Sequence, residues 1–292
     1  MLAEQLGFDA TDRVAVIHAD DVGMCHAVNQ GAFHALENGS VTCASLMVPC
    51  AWFPEAAEIA RARPELDLGV HLTLNSEFDR YRWGPVAGRD AVPSLLDDEG
   101  YLHKTVLEVL KNAAPDEVET ELRAQIETAL ASGVDVTHLD SHMGTVTIPP
   151  LSRIYKKLAL EYRLPAFAVR PSDEALAALG LPEVGPTLRQ FADEIAAEGF
   201  PVLDGFDANS LAFEPGQGRA HNEKRLAGLP VGVSYLICHP AQDGEELFSV
   251  CPAQAHQRDF EREFYGGPTG AAALVEHGIK TTGMRPLRDL LR

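Results

Sequence analysis

At residues 18–21 the chain reads His-Ala-Asp-Asp, directly after the apolar run of residues 14–17. Adjacent carboxylates repel and Asp is a poor strand former, so the pair weakens the element it ends unless a proton, a cation or solvent relieves it. A solvated turn is the plain alternative, since Asp and Gly are ordinary turn residues and Gly23 follows closely.

Other segments bring imidazoles to similar places. In LDLGVHLTLN, residues 66–75, Leu66, Leu68, Val70, Leu72 and Leu74 alternate with Asp67, Gly69, His71, Thr73 and Asn75, which turns His71 away from the greasy face. In VDVTHLDSHMGT, residues 134–145, His138, Asp140 and His142 share one parity if the strand stays extended. The i, i+4 histidines also fit a helical zinc motif, but Glu is absent after His138 and the β-branched run before it argues for strand. His142 is expected in a metal or catalytic role and His138 in a structural one. In VSYLICHP, residues 233–240, an apolar strand delivers His239 just before a proline that stops the ladder. Arg170, after AFAV, is a weaker example that reads equally well as a surface salt-bridge partner.

The pair Asp20 and Asp21, then His71, the pair Asp140 and His142, and His239 thus end four different strands on what should be one rim. One Asp and two His form a facial set that binds Zn²⁺ or a similar divalent ion and leaves positions open for water and substrate. A cation would relieve the aspartate pair, and the second carboxylate, beside the ion's water, is placed to act as general base.

The elements that must position these groups alternate. Strands are expected near 13–18, 41–48, 67–74, 134–139, 166–170, 201–206 and 233–239, and helices near 27–38, 53–63, 115–132, 149–162, 187–199 and 254–277. Such alternation indicates a parallel sheet. About seven units without a Ser/Gly linker predict a single α/β domain, residues 1–292, folded as a closed or nearly closed (β/α) barrel; an open doubly wound sheet is the alternative. The polar segment 76–104 is long and rich in Gly and Pro, and is expected to lie over the active site. Its Tyr81, Arg82 and Trp83 offer a stacking face and a donor. Asp140, Arg170 and Trp83 are the expected substrate contacts.

Composition narrows the partners. The 24 Lys and Arg against 43 Asp and Glu leave a formal charge of −19, and no basic stripe follows a phosphate backbone, which argues against nucleic acid and anionic membranes. Five cysteines without a C-x-x-C spacing point to a reducing compartment. Neither a secretory leader nor an apolar run of about 18 residues is evident, so a cytoplasmic location is expected. A homodimer stays open.

The stretches HADDVGMCHAVNQGAFHALENGSVTCASLMV, GVHLTL, VPSLLDDEG, THLDSH and ICHP resemble the YdjC/ChbG-like carbohydrate deacetylases, in the family's order and over nearly the whole chain. The resemblance implies a deviant TIM-like (β/α) barrel related in chemistry to polysaccharide deacetylases, which removes acetyl groups from N-acetylated sugars with one divalent metal ion, Zn²⁺ or Mg²⁺. Carried over by position, it implies Asp20 as base, Asp21, His71 and His142 as metal ligands, and His239 as general acid. The chain departs from the family at His18, where Asn is usual, and at Met143, Gly144 and Thr145, where further histidines are usual; this puts a chitobiose-type substrate in doubt. The rival readings are a metallophosphoesterase, which would want two metals and basic residues near the phosphate, and a non-catalytic sugar-binding or regulatory barrel with a structural metal. Few basic residues accompany these motifs, and a non-catalytic barrel would have no need for a free carboxylate beside the ligands, so the presence of both Asp20 and Asp21 favours catalysis.

Overall fold

The computed structural model describes residues 1–178 and 182–292. Seven strands, β1 (Arg13–Val22), β2 (Cys43–Leu46), β3 (Leu68–Leu72), β4 (Val136–Ser141), β5 (Gly205–Asp207), β6 (Gly232–Cys238) and β7 (Ile279–Thr281), form one sheet in the order β4-β3-β2-β1-β6-β5. Every pairing is parallel, and β7 pairs with the first residues of β1, Arg13 to Ala15. Helices link the strands, including His26–Asn38, Phe53–Ala62, Pro115–Ala131, Leu151–Tyr162, Gly185–Ala197 and Ala255–Gly266.

The sheet curls, but its continuous ladder stops short of a closed barrel. Between β4 and β5, among the described residues, only single parallel bridges remain, Leu139 with Ala166 and Val169 with Leu203. The expected strand at 166–170 is therefore reduced to isolated bonds such as Phe167 N–H to the Leu139 carbonyl and Arg170 N–H to the Leu203 carbonyl. Pro165, Pro171 and Pro201 flank these contacts, and a residue without an N–H cannot extend a ladder. The expected helix over 254–277 is two, Ala255–Gly266 and Pro268–Glu276, because Pro268 can start a helix but not continue one. Strand β7 had no counterpart among the expected elements.

Strand alternation sorts the side chains. On β1, Ala15, Ile17 and Ala19 join the large cluster that includes helix residues Val28, Ala32, Ala56 and Ile126. Val14 and Val16 point the other way, into a smaller cluster with Cys43, Val233, Tyr235, Met284 and Leu287. Further along that inner face come His18 and Asp20, so the inside is apolar at the N-terminal strand ends and polar at the C-terminal ends. Gly69 makes room for this layer: a β-carbon there would lie 2.6 Å from the His138 ring.

Candidate active site

The turn after β1 explains how two adjacent aspartates serve one site. Asp21 has φ of 68° and Gly23 φ of 94°. Left-handed backbone at Asp21 breaks the alternation of the strand, and Asp is one of the few residues that tolerates it. Both side chains then face the same cavity, Asp20 at 7% exposure and Asp21 at 2%.

Asp21 Oδ1 lies 3.3 Å from His142 Nδ1 and 3.6 Å from His71 Nε2. A direct imidazolium–carboxylate bond would be shorter, about 2.7–2.9 Å. With metal–ligand bonds of about 2.1 Å, the edge of a tetrahedron is about 3.4 Å, so these gaps suit one shared ion. The remaining ring nitrogens are tied back, His71 Nδ1 to Asp140 Oδ1 at 2.9 Å and His142 Nε2 to Glu77 Oε2 at 3.0 Å, which orients both rings as outer carboxylates orient metal-binding histidines. The other oxygen of Asp21 accepts from Arg258 Nη2 at 2.8 Å.

The local charges are strong. Burial opposes ionisation of Asp21, but Arg258, His142 and His71 outweigh it and hold its carboxyl well below the usual carboxylate range. Burial likewise opposes the charged form of His142, yet Glu77 and Asp21 hold it up to about 9. Among the described residues, two other groupings bring ligand-type atoms together, His18 with Cys43 and His138, and His18 with Asp20 and Asp140. Both contain His18, whose nitrogens already face Asp20 Oδ1 at 2.6 Å and His138 Nε2 at 2.9 Å.

Asp20 is held from behind by that 2.6 Å contact, while its Oδ2 lies 3.8 Å from both His71 Nε2 and His239 Nε2. His18 itself is fully buried and stacks on Tyr235. His239, at the end of β6, has Nδ1 against Ser210 Oγ at 2.8 Å; the serine hydroxyl in turn donates to Glu261. Burial, with Arg258 nearby, lowers the His239 pKa against the pull of Asp21 and Asp20.

Of the three expected substrate contacts, Asp140 lines the cavity, whereas Arg170 and Trp83 are not among its lining residues. Asp140 is also engaged by His71, by Ser45 Oγ at 2.9 Å and by Tyr235 Oη at 3.2 Å, so it supports His71 as well as facing the cavity. Arg170 is exposed and pairs with Asp193. Trp83 is buried, donating its indole N–H to the Asn75 carbonyl at 2.7 Å. Arg82 is held by Asp97 and the Leu102 carbonyl, and Tyr81 by the Met24 carbonyl. The segment 76–104 reaches the cavity through Glu77 and Phe78 instead. His138 is buried between His18 and Thr137, and burial with His18 nearby pushes its pKa down to about 3.

Sequence reasoning missed Glu77, Ser210, Arg258 and Glu261. For the last two a signal existed. Ala255, Arg258, Glu261 and Phe264 recur at helical spacing and are all buried, which places an Arg and a Glu on the apolar stripe of their helix.

The fold and the convergent carboxylate and imidazole groups define a parallel α/β protein with a buried His/Asp centre. The YdjC-like protein family model matches residues 14–276, and the chain belongs to that family. A carbohydrate deacetylase of Thermus thermophilus is 37% identical over 249 residues, 84% of this chain and 85% of its own. One of Geobacillus stearothermophilus is 30% identical over 278 residues, 95% and 99% of the two chains. A crystal structure from Enterococcus faecalis, described in terms of cellobiose-phosphate cleavage, superposes with a TM-score of 0.75 at 26% identity, covering 94% of this chain and 99% of that one. Among the described residues no helix is long and apolar enough to cross a membrane.

Proposed function

We propose that the protein is a carbohydrate deacetylase that hydrolyses the acetamide of an N-acetylated sugar with one divalent ion, Zn²⁺ or Mg²⁺, held by Asp21, His71 and His142. The observation that carries this reading is the convergence of Asp21 Oδ1, His71 Nε2 and His142 Nδ1 beside the free oxygen of Asp20. The curated relatives support the sugar and the reaction. We read the curled sheet and its bridging contacts as a nearly closed (β/α) barrel, residues 1–292 as one domain, and a cytoplasmic location.

When bound, the ion would supply Lewis acidity that polarises the acyl carbonyl and makes water easier to deprotonate. The protein's own groups do the rest. Asp20, with Oδ1 occupied by His18, offers Oδ2 to take a proton from the attacking water. His239 donates Nδ1–H to Ser210, which leaves Nε2 facing Asp20 Oδ2 across 3.8 Å. Because burial favours its neutral form, His239 enters the reaction able to accept the proton captured by Asp20 and pass it to the departing amine. Arg258, the one Arg or Lys lining the cavity among the described residues, is already paired with Asp21, which favours an amide over a phosphate ester.

The test is acetate release from a panel of N-acetylated sugars after loading with Zn²⁺ or Mg²⁺. Metal-dependent release supports the reading. A fully loaded protein that releases no acetate from any of them overturns it.

A further inference from the structure

The cavity of about 830 Å³ above the aspartates is near the upper end for ligand sites, and one sugar ring at the polar centre does not fill it. Its other end has a different character. From Asp140 the wall runs through Tyr235, whose hydroxyl bonds to that carboxylate, to Phe167 at 5.1 Å from the tyrosine ring and on to Phe206 at 5.8 Å from Phe167. Leu188 and Ile237 also line it, and with Phe167 and Phe206 they are only half-buried. Apart from the polar centre, the charged residue that lines the cavity among the described residues is Glu183, which is exposed. The side chains of Phe167, Phe206, Leu188 and Ile237 offer sugar hydroxyls no hydrogen-bond partners, although Thr187 lies beside Leu188, and a buried hydroxyl without a partner is costly.

The backbone points the same way. Among the described residues, four other than glycine have φ in the left-handed region, Asp21, Met143, Arg163 and Leu211, and all but Arg163 line this cavity. Methionine and leucine are poorly suited to that conformation, and strain of this kind gathers at functional sites. Met143 remains 48% exposed, a large apolar side chain held at the cavity without burial to justify it.

We infer that this apolar arm receives a hydrophobic substituent carried by the N-acylated amino sugar, either a longer acyl chain or an apolar aglycone. The inference rests on the deacetylase reading for the placement of the amide at the Asp21, His71 and His142 end. The arm and that end line one continuous cavity, so a single molecule can reach both.

Direct binding tests it independently of turnover. Calorimetric affinities of the purified protein are measured for methyl, butyl, hexyl and octyl N-acetylglucosaminides, and for glucosamine bearing acetyl, butanoyl, hexanoyl or octanoyl groups. Affinity should rise about two- to fourfold per methylene in one series, which identifies whether aglycone or acyl chain enters the arm. Met143→Asn suits the left-handed backbone, and with Phe206→Ala it should shrink the octyl-to-methyl or octanoyl-to-acetyl ratio in the responding series. Affinities flat in both series, or a length dependence untouched by both variants, overturn the inference. Failure of acetate release with a length-dependent affinity would instead sink the deacetylase reading alone.

Discussion

Replacing Asp21 with Asn removes one charge with little change of shape, because Asn also tolerates the left-handed backbone that Asp21 adopts at φ of 68°. Two consequences follow from the geometry. The first is loss of a 2.8 Å ion pair with Arg258 in which both side chains are 4% exposed. Breaking a buried pair costs about 3–5 kcal/mol, and relief of the repulsion from Asp20 favours the lower end. For 292 residues the unfolding entropy is about 0.6 kcal/mol per kelvin, so about 3 kcal/mol corresponds to a metal-free Tm about 5 °C lower. The second is loss of the anionic ligand. An ion at 100 times its Kd stabilises a protein by about 2.7 kcal/mol, which is a further rise of about 4–5 °C in the parent. The variant should show little of that rise. The assay is calorimetry on chelator-treated protein with and without added Zn²⁺ or Mg²⁺, alongside metal content by emission spectroscopy. A variant that keeps the parent's metal content and metal-induced rise refutes the ligand set, and an unchanged metal-free Tm refutes the importance of the Arg258 pair.

Asp20→Asn should keep its metal yet slow kcat by about 10²–10⁴-fold, the usual contribution of a positioned base; steady-state kinetics with parallel metal analysis decides it. His142 is held up to about 9 without metal, so an ion must displace its proton at neutral pH, and apparent metal affinity should climb between pH 7 and 9 in a competition titration. Glu77→Gln should flatten that climb and weaken binding about 10–100-fold at the alkaline end, where the deprotonation cost has gone. His138 binds a proton below about 6.5 when unfolded but only near 3 when folded, so stability present at neutral pH should fall by up to about 1.4 kcal/mol per pH unit as pH drops from 6.5 toward 3, followed by urea unfolding at a series of pH values.

Much of the polar centre was legible from local rules. A strand's period of two is sufficient to separate His71 from the leucines around it, and the same rule exposed the problem of two adjacent aspartates, whose answer is the turn at Asp21 and Gly23. The parallel sheet was legible because apolar runs alternate with helical stretches. Its incomplete closure was less so: Pro165, Pro171 and Pro201 were visible, but whether proline-flanked segments still form a ladder depends on their neighbours.

Residue type misled where a side chain had more than one use. Trp83 and Arg170 have groups that suit a sugar, but Asn75 and Asp193 claim them first. The supporting groups were hidden for the converse reason. Glu77 reaches His142 across 65 residues, and Arg258 reaches Asp21 across 237. The sequence by itself determined which backbone faces and strand ends carry carboxylates and imidazoles, since those follow from periodicities of two and 3.6 residues. Only the tertiary structure decided which of those groups meet, because hydrogen bonds and ion pairs act over about 3 Å and chain separation says nothing about that distance.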